Sequence, residues 1–237
     1  MVRIKRIESC EFPIVERSVK DYRMLAMPPH LLRLFDEEGY HGVRIACPKV
    51  AAKLPDYGGA TAPGRSQIPH QDNAPGDVRR FIAFSKTDSK PRCASTYLVH
   101  PETVQKMLPR WMDWFEENRA GLREQFVYRH SYVVTKAVLY ACFERGGLAS
   151  AVRALTFDVT SAERERMELY AYTGLLTYLT QDVGGDEIVE GFLEENEGGV
   201  FVECWDSPGV LLIDNSRIFH GRYGVNVPLQ RNWLIAR

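Results

Sequence analysis

The rhythm of apolar and polar positions divides the chain into strands at both ends and helices between. In "VKDYRMLAMPPHLLRLFDEEGYHGVRIAC", Leu31, Leu32, Leu34 and Phe35 fall at helical spacing, and acidic residues with Gly39 close the segment. A strand from His41 to Cys47 follows. "LPDYGGATAPGRSQIP" is rich in Gly and Pro and reads as a loop running into His70. "DVRRFIAFSK" alternates well enough for a strand. "HPETVQKMLPRWMDWFEENRAGLREQF" is helical in composition, with Pro101 near a first-turn position. "YRHSYVVTKAVLYACF" is mixed, with strand open to Tyr132–Val134. "SAERERMELYAYTGLLTYLTQD" predicts another helix, and from "EIVEGFLEENEGGVFVECW" to "VLLIDNSRIFHGR" the pattern returns to strands broken by Gly and Pro. The whole predicts an α+β chain on an antiparallel β core.

The 237 residues suit one domain, 1–237, with a helical insertion around residues 101–180. Apolar residues make up 45% and charged residues 26%, as in a soluble globular protein. The net charge of −1 carries no basic surplus, so neither nucleic acid nor membrane is an expected partner. Cys10, Cys47, Cys93, Cys142 and Cys204 are scattered and form no C-x-x-C pair, which argues against a disulfide framework or a zinc knot. No signal peptide is visible, no apolar run approaches ~18 residues, and a reduced cytoplasm is the expected location.

The candidate chemistry lies in "SQIPHQDN" and "LLIDNSRIFHGRYGVNVPLQRNWLIAR". His70 and Asp72 form an H-x-D pair, which an extended chain places on one side. With a distant second histidine, His220, it makes a 2-His-1-carboxylate triad, which holds Fe(II) on one face and leaves positions open for co-substrate and O2. A structural zinc would want a closed shell, often with Cys, and none is near. The pair alone is weak, because a second match, His100-Pro-Glu102, sits at an expected helix start where surface roles are usual. His30, His41 and His130 have no partner pattern.

The second segment adds specificity. "PGVLLIDNSRIFHGR" resembles the distal-histidine segment of the taurine dioxygenase-type Fe(II)/2-oxoglutarate oxygenases, which include clavaminate and carbapenem synthase relatives; Pro208, Gly209, Asp214, Asn215, Arg217, His220 and Arg222 match, and Val210 replaces an acid. The two histidines are 150 residues apart, as is usual in that family. The resemblance implies a double-stranded β-helix (jelly-roll, cupin-like) core with flanking helices, iron on His70, Asp72 and His220, and 2-oxoglutarate held by Arg231, eleven residues past the distal histidine. Thr96 would help hold it, with Ser95 as the fallback; Ile235 stands where some relatives carry a second arginine.

A guanidinium suits the co-substrate's far carboxylate because it gives two parallel hydrogen bonds in a poorly solvated barrel. On a strand, Arg231 and Trp233 would share the inward face. Asp214-Asn215 reads as architectural, while Arg217 and Arg222 are open between site and solvated strand end. Tyr170, Tyr172 and Tyr178 read as helix packing; Gln67, Arg79 and Tyr132 are the candidate substrate contacts.

The expected activity is dioxygenase oxidation of a small organic molecule, hydroxylation first, in secondary-metabolite biosynthesis. The resemblance implies that intact Asp72 argues against halogenation. The alternatives are desaturation, ring closure or epimerisation at the same site, a zinc hydrolase, or a non-catalytic jelly-roll binding protein. A homo-oligomer stays open.

Overall fold

This computed structural model describes residues 4–8, 15–19, 22–27, 29–46, 66–86, 95–126, 134–180, 184–196, 199–224 and 229–236. Eleven strands form two sheets, mainly antiparallel, with six helices among the described residues. The strands are β1 (Ile4–Glu8), β2 (Val15–Val19), β3 (Tyr22–Ala26), β4 (Gly42–Ala46), β5 (Gln67–His70), β6 (Phe81–Lys86), β7 (Ser95–Val99), β8 (Val200–Cys204), β9 (Gly209–Asp214), β10 (Phe219–Tyr223) and β11 (Gln230–Ile235). The helices are α1 (Pro29–Asp36), α2 (Pro101–Gln125), α3 (Lys136–Glu144), α4 (Gly147–Leu155), α5 (Ser161–Thr180) and α6 (Gly185–Glu195).

The large sheet runs β1-β4-β9-β6-β11-β3-β2 and the small one β5-β10-β7-β8. From β4 to β7 successive strands alternate between the sheets, and they do so again from β8 to β11. Two pairings are parallel, β1 with β4 and β3 with β11, where an antiparallel core was expected. Both involve strands of the N-terminal segment.

Alternation along the strands builds three apolar layers. Val210, Leu212, Phe81, Ala83 and Leu234 pack outward against Leu31, Leu34 and Phe35 of α1. Leu211, Ile213, Ile82 and Phe84 point inward and meet Leu98 and Trp205. The outer face of the small sheet (Ile68, Tyr97, Val99 and Phe219) packs on the helices between β7 and β8. Strand β9 is therefore buried on both faces, which explains its unbroken apolar run.

Two sequence expectations change. Tyr22–Ala26, read as the start of a helix, is β3, and α1 begins only at Pro29. Residues 187–195, read as strand, belong to α6: Ile188, Val189 and Phe192 share one buried helical face. The helical run thus extends past residue 180. Tyr132 and most of the Gly/Pro-rich loop before β5 lie outside the described residues. No described helix is long and apolar enough to cross a membrane.

Candidate metal centre

The site is built where β5 pairs with β10. His220 lies opposite His70, and Arg222 lies opposite Gln67. Three steps on β5 match two on β10, so β5 carries a bulge at Ile68-Pro69. Pro69 has no N–H for the ladder there. In a regular strand Gln67 and His70 would face opposite ways; with the bulge both line one cavity. The Ile68 carbonyl, turned from the ladder, accepts from His70 Nδ1 at 2.8 Å and from Thr177 Oγ1 of α5 at 3.3 Å. With Nδ1 as donor, His70 presents the lone pair of Nε2 to the site.

Asp72 sits just past the end of β5. Its backbone N–H donates to Asn215 Oδ1 at 3.2 Å, so the turn after β9 fixes the carboxylate that follows β5. Asp214 in the same turn binds Arg80 and Arg217 and accepts from Ser216. Asn215 thus ties the two motif segments together, while Asp214 holds the turn that carries it.

Asp72 Oδ1 lies 3.4 Å from His70 Nε2 and 3.8 Å from His220 Nε2. The ligand atoms of the three residues lie within 4.8 Å of one another. Around one ion with ligands at about 2.1 Å, neighbouring donors stand roughly 3.0–3.5 Å apart. The two carboxylate–imidazole separations are within a few tenths of an ångström of that range, and the two imidazole nitrogens, within 4.8 Å of each other, would close by up to roughly 1.3–1.8 Å for the set to hold one divalent transition metal. All three side chains are about nine-tenths buried or more.

The electrostatics favour the ligand forms. Burial, with His70 and Arg231 adding to it, outweighs the pull of Asp72 and takes His220 down to about 3, so the imidazole is neutral. Burial pushes the Asp72 carboxyl up, but the charge of the Arg231 guanidinium beside it leads the effects that pull it the other way. Asp72 is held well below the usual carboxylate range.

Arg231 projects inward with its guanidinium over Trp233, 4.8 Å from the ring centre. Its Nη1 donates to Asp72 Oδ2 at 3.0 Å, while its Nε is buried without a partner. The cavity beside it has a volume of about 280 Å³. Gln67, Gln71, Tyr170, Gly174, Thr177 and Tyr178 share its lining with His70, Asp72 and Arg231.

The remaining candidates divide clearly. Thr96 faces inward and is buried; Ser95 is turned away beside Cys204. Gln67 lines the cavity, but Arg79 does not: its guanidinium grips Asp77 at 2.9 and 2.6 Å. Arg222 is no solvated strand end, being only 9% exposed, with burial and the nearby charge of Arg231 lowering its pKa. Arg217 is the exposed one, bound to Asp214 and the Phe35 carbonyl. Tyr170 and Tyr178 line the cavity besides packing α5, a role helical periodicity could not reveal. Their spacing with Gly174 and Thr177, all on one face of α5, was the available signal.

No protein-family model and no curated protein matches the chain. One solved structure similar to it is that of a Burkholderia xenovorans protein provisionally named an alpha-ketoglutarate dependent 2,4-D dioxygenase. It is 11% identical with a TM-score of 0.34, over 94% of this chain and 97% of the other. A likeness at that score carries no argument, and the functional reading rests on the site.

Proposed function

We propose that the chain is an Fe(II)- and 2-oxoglutarate-dependent dioxygenase that oxidises a small organic molecule, hydroxylation being the first expectation and secondary metabolism the setting. One observation carries this reading. Two imidazoles and a carboxylate converge beside a cavity, with a guanidinium against the same carboxylate. The alternating winding of strands β4–β11 supports a jelly-roll core for a single domain with a helical insertion. Cytoplasmic placement belongs to the same proposal.

When bound, ferrous iron supplies the redox chemistry that couples decarboxylation of 2-oxoglutarate by O2 to oxidation of the substrate. The chain's residues do the rest. His70 and His220 offer Nε2 and Asp72 offers Oδ1. Arg231, now on Asp72, has a buried Nε and further N–H groups with which to meet the far carboxylate of 2-oxoglutarate. Thr96 and Arg222 stand deeper on the same inner face of the small sheet. Tyr170, Thr177 and Tyr178 of α5 form the wall that a substrate would meet.

The test is anaerobic addition of Fe(II) and 2-oxoglutarate to the metal-free protein, watched for the weak visible charge-transfer band of the chelate. Its appearance supports the reading. Absence of the band, with zinc-dependent hydrolysis that needs no O2, would replace it with a metallohydrolase. Binding without succinate release across a metabolite panel would favour a non-catalytic role.

A further inference from the structure

We infer that Trp205 is a positioning residue, which turns the Thr96 hydroxyl into a hydrogen-bond donor for the far carboxylate of 2-oxoglutarate; this rests on the function proposed above. Trp205 follows β8 and is completely buried. Its Nε1 donates to Thr96 Oγ1 at 2.8 Å. An indole N–H can only donate, so the threonine oxygen must accept. The hydroxyl's own proton then points elsewhere, and it meets no acceptor among the described residues. A buried hydroxyl fixed in this way offers a proton to whatever anion comes beside it.

The position fits the far end of the co-substrate. Thr96 pairs with Arg222, two residues along β10 from the ligand His220. Two residues of antiparallel strand cover about 7 Å. The keto carbon and far carboxyl carbon of a five-carbon diacid are separated by three bonds of ~1.5 Å, so they lie roughly 4 Å apart, and the carboxylate oxygens and their hydrogen bonds cover the remainder.

The indole is itself held in orientation. The Arg44 guanidinium lies over its ring, 5.3 Å from the centre. Arg44 is fixed in turn by Glu203 at 2.8 Å and by the carbonyls of Ile45 and Ser207 at 2.9 and 3.3 Å. Gly209 makes this arrangement possible, because a Cβ there would collide with the Arg44 guanidinium. A Trp that merely filled space would need none of these polar contacts.

The test uses the full chain with Fe(II) under anaerobic conditions, titrating 2-oxoglutarate and, separately, 2-oxobutyrate, which chelates alike but lacks the far carboxylate. Trp205→Phe keeps the ring and removes the N–H. It should weaken 2-oxoglutarate about five- to tenfold, leave 2-oxobutyrate unchanged, and add nothing further in a Thr96→Val background. Unchanged 2-oxoglutarate affinity, or equal weakening of both keto acids, overturns the inference while the proposed function stands. If the unaltered chain binds neither keto acid, that function falls first. Should Trp205→Phe not fold, Thr96→Val decides: undiminished 2-oxoglutarate affinity overturns the role assigned to the hydroxyl.

Discussion

The space between the sheets has two polar ends that differ in how completely they satisfy themselves. At one end Arg44 and Glu203 pair at 2.8 Å, and Arg44's remaining donors reach two carbonyls. At the other, Asp72 is shared among His70, His220 and Arg231, and His220 Nδ1 and Arg231 Nε are buried with no partner. Buried polar groups are normally paired, so the first end reads as structure and the second as a place that expects a ligand.

The largest expected effect breaks the satisfied end. Arg44→Met strands Glu203 in the interior and should cost about 3–5 kcal/mol in thermal or denaturant unfolding, with Fe(II) affinity per folded molecule retained. The reverse pattern is expected at the other end. Asp72→Asn should lower Fe(II) affinity by at least the roughly 10–100-fold that loss of a mere outer-shell partner costs, with little change in melting temperature. Arg231→Leu should weaken 2-oxoglutarate by about tenfold or more while iron still binds, read from the same anaerobic titration.

Acid should separate the two ends as well. His220 sits near 3 in the fold against an ordinary 6.5, so between those values the unfolded chain takes up a proton that the folded chain does not. The stability of the metal-free protein is then complete above about pH 6.5 and falls as the pH is lowered through that window. Asp72, also depressed, adds its own loss only below its ordinary 3.8. His220→Gln should flatten the upper part of that slope in pH-dependent unfolding. The smallest effect is Gly174→Ala on α5. Space is open around a Cβ there, so stability should rise by about 0.5–1 kcal/mol, while the cavity it lines shrinks.

The triad was legible because H-x-D and the segment around His220 carry local spacing signals that survive folding. The role of Asn215 was half legible: its motif marked it, but only the fold shows it accepting from the Asp72 N–H. Trp205 gave no signal, since its partners Thr96 and Arg44 are more than 100 residues away in the chain and periodicity carries no such information. The helix at Gly185–Glu195 was misread because its apolar positions are few and flanked by glycines, which mimic strand punctuation. The parallel pairings of β1 and β3 depend on long-range register, which strand patterns do not encode.

Iron-edge anomalous diffraction from crystals grown without O2 in Fe(II) and 2-oxoglutarate tests the central claim most directly. The account predicts a peak within about 2.2 Å of His70 Nε2, Asp72 Oδ1 and His220 Nε2, with the far carboxylate of 2-oxoglutarate on Arg231. Iron bound elsewhere, or no peak at these three side chains, would contradict it.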